Sequence, residues 1–103
     1  MPIKKKWTNY TPENASKSPD SIGYYEIGNR LGNVIYIGEG NIKGRLQDHL
    51  NPNSGDDYFP NALYYRYEIT NNKVRAVQRQ NVLLAEFEKT KGRLPEHNTY
   101  ARG

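Results

Sequence analysis

Arg45 and His49 stand four residues apart in a stretch whose apolar residues, Ile42, Leu46 and Leu50, also recur every four. That spacing places both side chains on one face of a short helix, next to its buried stripe. A guanidinium offers a rigid fork of donors suited to phosphate oxygens, and an imidazole can donate to phosphate or shuttle a proton. On spacing alone the pair is either a solvated face or the start of a phosphate site. Gln80 is the second residue of interest. It falls in the apolar stripe Val77, Leu83, Leu84 and Phe87, with Ala76 beside it. A polar side chain there needs hydrogen-bond partners to offset roughly 1–3 kcal/mol of desolvation. It is either an amide at the stripe's edge that reaches backbone or water, or a polar group facing a site.

The elements that must position these residues follow from pattern. Ile22 to Ile27 and Val34 to Ile37 are aromatic and β-branched, and Gly28-Asn29 through Gly32-Asn33 carries turn chemistry, which predicts a hairpin with a loop of about five residues. The period then changes. Asn41 caps a helix that runs to Leu50 and is stopped by Asn51-Pro52-Asn53-Ser54-Gly55. Residues 51–61 read as a loop. Leu63, Tyr65, Tyr67 and Ile69 alternate with Tyr64, Arg66, Glu68 and Thr70 as a third strand. A longer helix follows from Lys73 or Val74 to Lys91, ended by Gly92 with Pro95 beyond. The order β-β-α-β-α predicts an α+β domain with a three-stranded antiparallel sheet flanked by helices, spanning residues 22–98. Residues 1–21 read as an irregular lead-in with one helical turn near Pro12-Glu13-Asn14-Ala15 capped by Thr11, and with Trp7 and Tyr10 laid back on the core. Residues 99–103 read as a tail.

Composition bounds the function classes. The 103 residues fit one core, and a net charge of +4 with a pI near 9.3 suits a nucleic-acid partner without requiring one. The only basic run is Lys4-Lys5-Lys6. With no cysteine, disulfides and thiolate metal sites are excluded. No apolar stretch approaches the roughly 18 residues of a membrane span, and no signal-peptide pattern opens the chain, so a soluble cytoplasmic protein is the expectation.

Gly23-Tyr24-Tyr25 and Tyr36-Ile37-Gly38 place two tyrosines on adjacent strands of the hairpin. With them the sequence resembles the GIY-YIG nuclease superfamily, and the resemblance continues in order. Tyr36 to Leu50 is similar to that family's strand, glycine-containing loop and helix with an Arg followed four residues later by a His or Tyr. Gln80-Asn81-Val82-Leu83-Leu84 is similar to its segment in which a Glu precedes two aliphatics, and Pro95-Glu96-His97-Asn98 to its closing Pro and Asn. The match covers residues 22 to 98. It implies metal-dependent hydrolysis of a DNA phosphodiester, with one divalent ion, Mg or Mn. By position, Tyr25 and Tyr36 match the tyrosines that act as or assist the base, with Tyr36 the preferred candidate. A phenol ionises near pH 10, so that role needs cationic charge close by. Arg45 matches the arginine on the scissile phosphate, and His49 a position that orients or relays. Asn98 matches a closing polar contact, Lys43 adds a phosphate-facing cation, and Gly38 and Gly40 permit close backbone approach.

The departure is Gln80, which stands where the family has its metal-binding Glu. A neutral amide oxygen lacks the charge that holds a hard divalent ion. Glu86 lies about 240° around the helix from Gln80, and Glu88 roughly 12 Å along it, so neither can take its place. Glu39, beside the Tyr-Ile-Gly motif, is the more plausible substitute. Three readings follow: a nuclease whose natural glutamate has been exchanged to trap it without cleavage, a relative that binds nucleic acid without cutting, or a protein-interaction module in which the tyrosines are packing.

Overall fold

The two aromatic runs pair as expected and extend beyond their apolar residues. The computed structural model of the chain describes residue 3 and residues 5–98. Lys4 and the tail read at 99–103 lie outside the described residues. In chain order the elements are β1 (Thr8–Asn9), α1 (Pro12–Ser16), β2 (Ile22–Gly28), β3 (Val34–Asn41), α2 (Ile42–Leu50), a 3-10 turn at Pro52–Asp57, β4 (Tyr64–Ile69), α3 (Lys73–Lys91) and a 3-10 turn at Glu96–Asn98.

The sheet has four strands in the order β1-β4-β2-β3, all antiparallel, where three were expected. The additional strand is two residues long and polar, pairing Thr8 with Tyr65 and Asn9 with Tyr64. It carries no alternation for a sequence pattern to detect. Its place is fixed by what surrounds it: the Tyr10 hydroxyl donates to the Leu46 carbonyl at 2.6 Å, and the Arg66 guanidinium lies 4.0 Å over the half-buried Trp7 ring. The lead-in thus adds a strand, a five-residue helix capped by Thr11 and core contacts to the sheet.

Side-chain alternation divides the sheet into two layers. Tyr25, Ile27, Tyr36 and Tyr65 face α2, where they pack with Ile42, Leu46 and Phe59, and a bulge opposite Ile27 and Gly28 brings the adjacent Ile35 into the same cluster. Tyr24 and Ile37 face α3 and pack with Leu83 and Ile3. Both longer helices have the ends their sequences specify. Asn41 and Asn72 accept from Gly44 N–H and Arg75 N–H, each at 2.9 Å, and Gly92 ends α3 in the left-handed region at φ 74°. β3 forms the open edge of the sheet, and this edge runs beside the tyrosine layer.

Candidate active site

Tyr25 pairs with Gly38 across the β2–β3 ladder. A Cβ built on Gly38 would sit 2.5 Å from the Tyr25 hydroxyl and 2.6 Å from the Tyr36 ring. The missing side chain is therefore what lets both tyrosine rings lie over β3. Two residues on, Gly40 adopts φ 128°, which L side chains rarely reach, and the Arg45 stem passes close beside it. Asn41 then opens α2, and Arg45 about one turn and His49 about two turns later project toward the tyrosines.

His49 is fully buried. Its Nδ1 lies 2.7 Å from the Asp57 carbonyl oxygen, and its Nε2 lies 2.8 Å from the Tyr25 hydroxyl. A carbonyl can only accept, so Nδ1 carries the proton; Nε2 of the neutral ring then accepts from the Tyr25 O–H. Burial pushes the Tyr25 phenol well above its ordinary pKa, neighbouring Tyr36 adds to this, and Arg45 opposes it. Tyr36 completes the cluster, its ring 5.0 Å from His49 and 6.1 Å from Tyr25.

Arg45 is half-buried against this cluster. Burial works against its charge, but Tyr25, Asp57 and Tyr36 outweigh that cost and raise its pKa. Its fork contacts Asp48 at 3.1 Å and Asp57 at 3.5 Å. Partly exposed ion pairs of this kind contribute only about 0–1 kcal/mol each, so an incoming anion can exchange for them.

The remaining residues singled out in the sequence lie elsewhere or are already occupied. Lys43 sits on the first turn of α2, half-buried, with its backbone N–H donating to the Pro19 carbonyl. The Asn98 side chain accepts from Ile37 N–H at 2.8 Å and donates to the Ile37 carbonyl at 3.0 Å, so its amide closes the open edge of β3. Gln80 is half-buried on α3, in the other layer. Among the described residues its amide hydrogen bond is to neighbouring Asn81 at 3.5 Å, and none joins it to Tyr25, Tyr36, Arg45 or His49. It thus occupies the edge of the apolar stripe.

Sequence reasoning missed three members of the site. Asp57 touches both His49 and Arg45, and Phe59 stacks on His49 at 4.3 Å and on His97 at 4.2 Å. Phe59, a lone Phe in the polar stretch 51–61, was the one available signal.

Residues 1–90 match the model of a family described as a domain of unknown function, DUF7508. The chain belongs to that family. No curated protein matches it. Its fold is that of a small GIY-YIG-like domain. It is similar to the GIY-YIG N-terminal endonuclease domain of UvrC from Thermotoga maritima bound to magnesium, at 22% identity over 82% of this chain and 91% of that one, with a TM-score of 0.66. A tyrosine and an asparagine point mutant of the same domain, each bound to its catalytic divalent cation, match at 22% identity over 87% of this chain and 93% of those chains, with a TM-score of 0.67.

A neutral amide at position 80 is a poor ligand for a hard divalent cation. Among the described residues no group of three or more His, Asp or Glu side chains converges as a metal site. Glu39 is held by Lys73, whose ammonium lies 2.9 and 2.7 Å from its two oxygens, on the α3 side of the sheet. Glu86 and Glu88 are exposed.

Proposed function

We propose that this chain is a GIY-YIG-type domain that holds a DNA phosphodiester at Arg45, and that hydrolysis by the chain is impaired because Gln80 stands in the place of a metal-binding glutamate. The observation that carries the reading is the convergence of Tyr25, Tyr36, Arg45 and His49 on one buried cluster at the β3–α2 junction. In this reading the Arg45 fork exchanges two single contacts to separate aspartates, at 3.1 and 3.5 Å, for phosphate oxygens that its parallel N–H groups can meet bidentately. Tyr25 is sealed and spends its hydroxyl on His49, which holds the pair in register. Tyr36, at 6% exposure, remains the candidate to face an attacking water. Lys43 adds a cation for the neighbouring backbone, and Asn98 serves by fixing the edge strand on which Tyr36 sits.

A second reading has an observation of its own. The amide at position 80 favours a domain that binds nucleic acid without cutting it. Binding measurements decide whether either reading stands. The chain and Arg45→Ala should be titrated onto single-stranded and duplex oligonucleotides at several salt concentrations. Affinity should fall as salt rises, and Arg45→Ala should bind more weakly with a log–log slope shallower by about 1. Absent or salt-insensitive binding would sink both nucleic-acid readings and leave a protein-interaction module.

A further inference from the structure

The segment between α2 and β4 is built around His49. Asn51 N-caps the 3-10 turn, its side chain accepting from Asn53 N–H at 2.9 Å. Gly55 then reverses the chain at φ 62°, ψ −126°, a conformation that L residues rarely adopt. The reversal returns Asp57 to α2, and Phe59 N–H closes the loop by donating to the His49 carbonyl at 3.0 Å. His49 is therefore gripped at three points: Nδ1 by the Asp57 carbonyl, its own carbonyl by Phe59 N–H, and its ring by the Phe59 ring at an interplanar angle of 12°. The Asp57 carboxylate meanwhile reaches the second arm of the Arg45 fork.

We propose that Asp57 is a positioning residue for this site. Its carbonyl fixes which nitrogen of His49 carries the proton, and its carboxylate holds the Arg45 fork. A neutral imidazole has two tautomers, and only the one protonated at Nδ1 leaves Nε2 free to accept from Tyr25. One residue at the end of a glycine-reversed loop thus sets the proton direction in the Tyr25–His49 pair and, with Asp48 on the other arm, restrains the guanidinium. The functional significance of this role rests on the phosphodiester reading above, whereas the positioning itself does not.

The two contacts come from different parts of Asp57 and can be separated. Asp57→Asn keeps the carbonyl and removes the charge. Gly55→Ala keeps every polar side chain and strains the reversal that delivers the carbonyl. Nitrogen-15 NMR of the histidine ring and the arginine side chain should be recorded on the full chain and both variants, with backbone spectra to confirm folding. The wild-type His49 should be a single tautomer protonated at Nδ1. Asp57→Asn should keep that tautomer while the Arg45 guanidinium rotates faster than in the wild type. Gly55→Ala should give mixed tautomers in a folded protein. A wild-type proton on Nε2, or an unchanged tautomer in folded Gly55→Ala, would overturn the carbonyl's role, and unaltered Arg45 rotation in Asp57→Asn would overturn the carboxylate's. None of these spectra needs DNA, so a failure to bind DNA would count against the proposed function alone.

Discussion

Tyr25 and His49 are partners whose distance in the sequence hides their contact. The four-residue spacing of Arg45 and His49 was enough to put them on one helix face, because helix geometry is local. Nothing local indicates that His49 is fully buried. A polar ring is tolerated there only because Tyr25, 24 residues earlier, and the Asp57 carbonyl, eight residues later, satisfy its two nitrogens. Tyr25→Phe keeps the ring's packing and removes the hydrogen bond to Nε2. It should cost about 1–3 kcal/mol in a denaturant titration, the usual penalty when a buried polar group loses its partner. Gln80 was also only half legible. Its place in the stripe could be read from period, but whether its amide would be buried depended on how α3 rolls on the sheet. The helix rolls so that Ala76 and Leu83 are buried and Gln80 is left at the border.

The longer elements were legible because several independent signals agreed on each. For α3 these were an asparagine cap, an apolar stripe and a glycine stop, and the helix runs from Lys73 to Lys91 as read. β1 offered no such agreement, and neither did the Asp57 loop, whose form depends on one glycine conformation and on contacts with α2. Two substitutions test what holds β3 in place. Gly38→Ala would drive a methyl group into both tyrosine rings, and overpacking of this kind should destabilise the fold by about 1–3 kcal/mol. It should also shift the aromatic NMR signals of Tyr25 and Tyr36. Asn98→Ala removes two hydrogen bonds from the edge strand. It should cost about 1–3 kcal/mol and speed hydrogen exchange at the Ile37 amide, with much smaller changes in β2.

For the whole molecule, the two-layer plan was legible from the element order, and the fourth strand was not. The aromatic core makes a global pH prediction. Burial raises the pKa of Tyr10, Tyr24 and Tyr25 above the ordinary value of 10.0. Between that value and the raised ones the folded chain retains protons that the unfolded chain releases, so stability should fall as pH rises above about 10. Thermal melts across the alkaline range should record that decline, and part of the tyrosinate absorbance should appear together with unfolding. Flat stability through this range would contradict the burial of these phenols. In the proposed reading Tyr25, Tyr36, Arg45 and His49 frame a phosphodiester site, and position 80, which makes no hydrogen bond to them among the described residues, is where the metal ligand is expected. The most direct measurement is cleavage of plasmid and single-stranded DNA with magnesium or manganese by the chain and by Gln80→Glu. Metal-dependent cleavage is expected from Gln80→Glu, with a rate lower by orders of magnitude for the chain itself. Equal cleavage by the two proteins, or none by either, would contradict that reading.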